Sequence, residues 1–331
     1  MTPLGAAVVG LGFGTQHALA FARTGCRVRW LCDLDLDKAK ALQKTLKDAT
    51  VTRRFEDILD DPKTPIVSIA SYDDVHAAQV IAALRAGKHV FVEKPLCRTG
   101  RELAAIRSAW KKAGTLHLQS NLVLRAAPLY RWLRSKIESG ALGDLYAVDG
   151  DYLYGRLNKI TEGWRGGIRD YSVMAGGGIH LVDLLLWFAG EQPRKVHTTG
   201  NRIATAGTRF RANDFMAATY RFPSGLIGRI TANFGCVHRH QHVVRVFGTK
   251  ATVLMDDAGA RIFTKRGDRE VPRTLSADPL PPSKGALIPG FVRAIRECRN
   301  PGPAARREFD LMEACLSADR SLALEKEIEL G

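Results

Sequence analysis

Gly5-Ala6-Ala7-Val8-Val9-Gly10-Leu11-Gly12-Phe13-Gly14-Thr15 is an apolar run that breaks into alternating glycines and passes into a helical pattern. Small and branched apolar residues in an unbroken run predict a buried strand over residues 5–9, and the period of residues 15–23 predicts a helix. At such a turn glycines permit a tight bend and let a pyrophosphate approach the backbone N–H groups at the helix N-terminus. The spacing is imperfect, because G-x-G-x-x-G places its third glycine where Thr15 stands and the extra glycine is Gly14. A glycine-rich turn also arises for purely structural reasons, so the surroundings decide its meaning.

Working outward, strands are predicted at residues 28–32, 66–70, 89–92 and 115–121, and helices at 36–46, 75–86 and 100–113. Strand and helix taking turns through short links is the pattern of βαβ units, which build a doubly wound parallel sheet with helices on both faces. A first domain of residues 1–121 follows. In residues 122–331 the pattern changes. Helices are predicted at 128–139 and 179–189, and strands at 145–154, 196–200, 214–222, 226–234, 243–248, 251–256 and 260–265. The links Pro223-Ser224-Gly225 and Gly248-Thr249-Lys250 have turn chemistry, which predicts an open antiparallel sheet. Residues 272–289 hold five prolines and predict a surface loop before helices at 290–297 and 304–324.

Composition narrows the class. Of 331 residues, 45% are hydrophobic and 25% charged, the balance of a globular protein, and this excludes disordered, collagen-like and coiled-coil chains. The 49 Lys and Arg against 34 Asp and Glu leave a net +15. That excess either draws an anionic small molecule or reflects an arginine-rich proteome. The densest spots, Arg53-Arg54 and Arg306-Arg307, are too short for a nucleic-acid arm. Neither a leader pattern nor an apolar run of spanning length stands out, and the six cysteines are scattered without metal spacing. A cytoplasmic protein with neither metal, membrane nor nucleic-acid partner is expected.

Two further positions bear on a nucleotide. The second predicted strand ends at Cys32-Asp33, where an acid accepts from a ribose 2′-OH and repels a 2′-phosphate. Asp33 could instead cap the helix near Leu36, a task open to Asp35 as well. With Leu34 and no arginine next to the acid, NAD is expected over NADP. The run Val92-Glu93-Lys94-Pro95 then carries a lysine to the carboxyl edge of the parallel sheet, where open α/β folds bind ligands.

Together with the glycine loop, the Glu-Lys-Pro ending resembles the glucose-fructose oxidoreductase and inositol dehydrogenase (Gfo/Idh/MocA) family. Similar landmarks continue in order: Ser71 with Asp74-Val75-His76, Asn121 and Arg125, Trp164-Arg165, and Gly176-Gly177-Gly178-Ile179-His180-Leu181-Val182-Asp183. The family's usual proline is replaced by Tyr72. The resemblance implies a Rossmann domain followed by a sheet-based substrate and oligomerisation domain, and an NAD(P)-dependent oxidoreductase forming homodimers or homotetramers. It implies that Gly10, Gly12, Phe13, Gly14, Asp33, Ser71, His76, Glu93, Lys94, Trp164 and Arg165 bind the cofactor. Lys94 and His180 would be catalytic, with Asn121, Arg125, Tyr154, Arg169, Tyr171 and His180 at the substrate and His240 a further candidate.

Read on its own, His180 begins a helix that is apolar nearly all round, where a histidine is commonly a satisfied core residue. Asp183, one turn on, either orients the imidazole or serves packing. One departure from the family concerns the acid it commonly carries four residues before the histidine, which here is Gly176; Asp170 in the preceding loop is the candidate replacement. The expected reaction is hydride transfer at a hydroxyl-bearing carbon of a sugar, with a nucleotide-linked amino sugar among the candidates. Alternatives are a free sugar or cyclitol dehydrogenase, a redox glycosidase using NAD, and an NAD-binding regulator without turnover.

Overall fold

The computed structural model describes residues 3–330; Met1 and Thr2, at the start of the expected first domain, and Gly331, at the end of the second, lie outside them. The chain forms two compact units, Met1–Val123 with Pro282–Met312, and Leu124–Pro281 with Glu313–Gly331.

The first unit runs β1 (Gly5–Val9), α1 (Gly14–Arg23), β2 (Arg27–Cys32), α2 (Leu36–Gln43), β3 (Thr50–Thr52) and α3 (Glu56–Leu59). It continues through β4 (Ile66–Ile69), α4 (His76–Arg85), β5 (His89–Val92), α5 (Gly100–Ala113) and β6 (Leu118–Ser120). The strands form one parallel sheet in the order β3-β2-β1-β4-β5-β6. Every residue of β1 and β4 is buried, as expected of strands covered on both faces, and this is why they read as continuous apolar runs rather than alternations. The expected doubly wound sheet is present, with one strand more: β3 is a three-residue edge whose Thr-Val-Thr carries no apolar run. Thr99 and Glu102 close a reciprocal capping box at the start of α5, which satisfies two backbone donors there.

The second unit opens with α6 (Pro128–Glu138), β7 (Leu145–Leu153), α7 (Asn158–Thr161) and α8 (Ile179–Ala189). Strands β8 (Lys195–Asn201), β9 (Phe215–Arg221), β10 (Ile227–Asn233), β11 (Gln241–Gly248), β12 (Thr252–Asp256), β13 (Gly259–Phe263) and β14 (Arg273–Thr274) follow. Helix α9 (Ile288–Arg296), the long α10 (Gly302–Leu324) and β15 (Ile328–Glu329) complete the chain. The sheet order is β14-β13-β12-β11-β7-β10-β9-β8-β15. It is not wholly antiparallel, because β10 runs parallel to β7, with Ile230 opposite Gly150. The β9–β10 hairpin expected from Pro223-Ser224-Gly225 is there. A hairpin sets only its own pairing, however, and the next neighbour of β10 is reached through a long crossover. Helix α8 covers β7 and β10: a side chain at Gly150 would crowd Leu181, and one at Gly228 would crowd Leu185.

The expected division of the chain is corrected in one respect. The segment Pro282–Met312, placed with the second domain on sequence order, belongs to the first unit. Ile288, Phe291 and Val292 of α9 join the core that contains Phe21 and Phe91, with the Phe91 and Phe291 rings 5.4 Å apart. Burial of those apolar residues outweighs chain order, since a side chain of that size gains about 1.5–3 kcal/mol on leaving water.

Asp319 of α10 gives the second unit a pH signature. Burial pushes its carboxyl up to about 7, although the Ser172 hydroxyl, 2.7 Å away, donates to it and pulls the other way. A carboxyl raised in the folded state keeps a proton that the unfolded chain has lost above its ordinary value of 3.8. Its contribution is therefore fully present below pH 4 and is lost as pH rises through 7, by at most about 1.4 kcal/mol per pH unit. Denaturant melts from pH 4 to 8 are expected to show this fall, and Asp319→Asn should flatten it; parallel curves for the two proteins would remove Asp319 as the cause.

Candidate active site

In the first unit the carboxyl ends of β1, β4 and β5 carry the predicted cofactor residues. Gly10 has φ +82°, and a side chain there would lie 2.6 Å from the Ala70 carbonyl carbon, so only glycine fits. Gly14 lets α1 sit on the sheet, because a side-chain carbon would lie 2.8 Å from Val8 Cγ1. Gly12, by contrast, is exposed, with no atom within 4 Å of where its side chain would be. This open glycine between two crowded ones leaves the backbone of the turn accessible, the condition for close approach of a pyrophosphate. The Phe13 ring beside it is 56% exposed, with Lys284 Nζ 5.9 Å from its centroid.

Asp33 is fixed by two backbone donors: Leu11 N at 2.6 Å on one carboxylate oxygen and Asp35 N at 2.8 Å on the other. Capping of α2 falls to Asp35, which accepts from Asp37 N and Lys38 N. The alternatives left open by spacing are thereby separated, and Asp33 is the acid held against the glycine loop. An arginine does reach its neighbourhood. Arg53, just beyond β3, donates from Nε to the Leu34 carbonyl at 3.1 Å, a contact made across strands that reading along the chain does not reveal.

Ser71 donates to the Gln79 side chain at 2.6 Å. His76 is fully buried, with Nδ1 2.7 Å from the Pro95 carbonyl and Nε2 3.2 Å from that of Ser71. It thus ties the loop after β4 to the Glu-Lys-Pro turn. Glu93, on the other side of that turn, is also held by the fold. Its carboxylate accepts from Asn121 Nδ2 at 2.7 Å and lies 3.1 Å from His17 Nε2. Burial alone would push this carboxyl up, but the bonds from His17 and Asn121 and the neighbouring Lys94 charge bring it down to about 2. Asn121, expected at the substrate, is 1% exposed and also donates to the Lys284 carbonyl at 2.8 Å. Its position just after β6 turns it inward. Lys94, half-buried, is the second residue after β5.

In the second unit a π-helical turn, Met174–Gly178, leads into α8. Single π turns of this kind often accompany functional sites. Side chains crowd its glycines: a carbon on Gly177 would lie 2.7 Å from the Phe234 ring, and one on Gly178 would lie 2.6 Å from Met174 Sδ. At Gly176 the Tyr171 phenol fills the place of a side chain, with its Cζ 2.5 Å from where a Cβ would be. The group standing where the family commonly has its acid is therefore Tyr171, 6% exposed and packed on Phe210 and Phe234. Asp170, the expected replacement, is exposed, as is Arg169; both lie in the turn before the buried Tyr171.

His180 sits in a wall of rings. Its ring centroid is 6.3 Å from Tyr152 and 5.9 Å from His242. Tyr152 also meets His240 at 5.2 Å, and Tyr154 stacks on Phe234 at 4.4 Å. His242, which sequence reading missed, shares a strand face with His240 by period-2 spacing. Arg125 and Asp183 are paired: Nε donates to Oδ2 at 2.8 Å and Nη2 to Oδ1 at 2.6 Å. Asp183, 1% exposed, thus orients a guanidinium rather than the imidazole, and the fork of Arg125 is spent inside the fold. The Arg165 guanidinium lies 4.3 Å over the Trp164 ring. Among the described residues no group of three His, Cys, Asp or Glu is arranged to hold a metal, and no helix is long and apolar enough to cross a membrane.

Comparison with known proteins bears on the family and the fold. Residues 4–121 match the oxidoreductase family model with an NAD-binding Rossmann fold, and residues 130–254 match a Gfo/Idh/MocA C-terminal domain model. The chain belongs to the Gfo/Idh/MocA family and is an NAD-dependent oxidoreductase. Among curated relatives, levoglucosan dehydrogenase of Pseudarthrobacter phenanthrenivorans is 26% identical over 87% of this chain and 84% of its own. Inositol 2-dehydrogenase of Acidothermus cellulolyticus is 25% identical over 94% and 89%. Among solved structures, levoglucosan dehydrogenase in complex with NADH superposes with a TM-score of 0.88 over 100% of both chains at 22% identity. The myo-inositol 2-dehydrogenase of Lactobacillus plantarum gives 0.82 over 100% of both at 18% identity. At these identities the structural likeness concerns the fold.

Proposed function

We propose that the protein oxidises a secondary alcohol of a free sugar or cyclitol to the carbonyl, reversibly, with Lys94 and His180 as its catalytic groups. NAD, when bound, supplies the hydride acceptor. Gly10, Gly12, Gly14 and Asp33 would hold its pyrophosphate and ribose. The Lys94 ammonium donates a hydrogen bond to the substrate oxygen and stabilises the negative charge that builds there as the C–H bond breaks. The His180 imidazole takes the hydroxyl proton, and acid/base help of this kind is worth about 10²–10⁴-fold. The buried rings of Tyr152, Tyr154 and Phe234 back the segment that carries His180.

The observation that carries the choice of a free polyol is the Arg125–Asp183 pair. A nucleotide-linked sugar brings a diphosphate, which is best held by an unengaged guanidinium fork. Arg125, the arginine nearest the start of α6, already has its fork on a buried carboxylate. Levoglucosan and myo-inositol, named by the relatives, are the first substrates to try.

The test is NADH formation with purified protein, NAD and a panel of levoglucosan, myo-inositol, common hexoses and a UDP-linked amino sugar. NADH accumulating with a free polyol is expected. Turnover of the UDP-linked compound alone would overturn the reading. Cleavage of a glycoside without net NADH would point to a redox glycosidase, and binding of NAD with no reaction to a regulator.

A further inference from the structure

A buried polar chain runs through the otherwise apolar core of the first unit, directly behind Lys94. His17 of α1 is 0% exposed, and Ser68 of β4 is also 0% exposed. Ser68 Oγ lies 2.9 Å from His17 Nδ1, and His17 Nε2 lies 3.1 Å from Glu93 Oε1. One tautomer satisfies all of these atoms: the Ser68 hydroxyl donates to Nδ1, and the Nε2–H donates to the carboxylate. Asn121 donates to the same Glu93 oxygen and to the Lys284 carbonyl. The surroundings are apolar, with His17 edge-on to Phe91 at 5.3 Å and Ala18, Phe21 and Leu11 in the same core.

Burying a carboxylate and an imidazole in such a core brings a desolvation penalty that an apolar pair of similar volume avoids, so stability is a poor reason for the arrangement. Its position suggests another. Glu93 is the residue before Lys94; His17 of α1 and Asn121, just past β6, meet its carboxylate directly, and Ser68 of β4 and the Lys284 carbonyl hold those two partners in turn. We propose that His17, acting through Glu93, is the positioning residue for Lys94. By fixing Glu93 as a carboxylate in one orientation, it sets the direction in which the chain presents the lysine and keeps an anion beside the ammonium. The titratable groups that act on Glu93 are His17 from α1 and its chain neighbour Lys94; Asn121, which also meets it, is neutral, as are Ser68 and the Lys284 carbonyl behind. This inference rests on the catalytic role proposed for Lys94.

The test compares His17→Gln, Glu93→Gln and Ser68→Ala with the parent and with Lys94→Ala, using levoglucosan or myo-inositol for kinetics. NADH affinity is followed by fluorescence, and the Lys94 titration by ¹³C NMR of reductively methylated protein, its signal assigned by loss in Lys94→Ala. For His17→Gln and Glu93→Gln, kcat should fall at least tenfold while the Kd for NADH changes less than threefold. In Glu93→Gln the Lys94 titration should also move to lower pH by at least half a unit, because the ammonium has lost its anionic neighbour. A brace that merely held the core would change thermal stability and leave that titration in place. Should either variant fail to fold, Ser68→Ala, which loosens one bond behind His17, decides: a kcat loss of about threefold at unchanged NADH affinity supports the role. Variants with parental kcat and an unmoved Lys94 titration overturn it. If Lys94→Ala itself keeps parental kcat, the catalytic reading of Lys94 has failed; if Lys94→Ala is inactive and the other variants are normal, only the positioning role has failed.

Discussion

Lys94→Ala is expected to lower kcat by about a hundredfold or more, with the Kd for NADH changed by less than a few-fold and an unaltered melting curve. The size follows from the task. A group that stabilises charge developing on the substrate oxygen acts mainly in the transition state, and removing one such donor from a water-excluded site costs about 10²–10³ in kcat. Stability should be spared because Lys94 is half-buried and lies outside the hydrophobic core of its unit, where Phe91 carries the packing. His180→Ala is expected to behave alike in kcat and to add a change in the pH–rate curve, since the proton acceptor is lost. Single-turnover rates within twofold of the parent, in folded protein, would take the residue concerned out of the chemistry.

Arg125→Met should have the largest effect on stability, about 3–5 kcal/mol, because it leaves the Asp183 carboxylate buried without a partner. Asp183→Asn should cost less. The Arg125 side chain is 21% exposed against 1% for Asp183, so the guanidinium left behind keeps some water and its contact with the Trp187 ring, 5.4 Å away. Urea denaturation of both variants measures the difference. A substrate-binding arginine outside the core would give the opposite pattern, parental stability with a raised KM, and that outcome would return Arg125 to the substrate.

The parallel sheet was legible because its strands are covered on both faces, so that Gly5–Val9 and Ile66–Ile69 appear as unbroken apolar runs. The glycine loop was legible for a related reason. Gly10 and Gly14 answer local steric demands, and Thr15 in the third position of the motif does no harm because Gly14 meets the close approach of Val8. In the second unit the strand boundaries were legible from alternation and turns, but the parallel pairing of β7 with β10 was not. Alternation tells which face a residue takes and says nothing about the direction of the next strand.

The polar residues divide along the same line. Residue type and spacing along the chain determined which side chains reach the carboxyl edge of the sheet and the head of α8: Asp33, Lys94 and His180 stand there. What those side chains touch was decided only by tertiary structure, because each contact joins segments far apart in sequence. Glu93 and Asn121 face inward onto His17, Arg125 is spent on Asp183, Arg53 arrives beside Leu34 from another strand, and the Tyr171 phenol fills the space over Gly176. The physical reason is that a buried polar group must find its partner wherever packing brings one, and packing is a property of the folded chain as a whole.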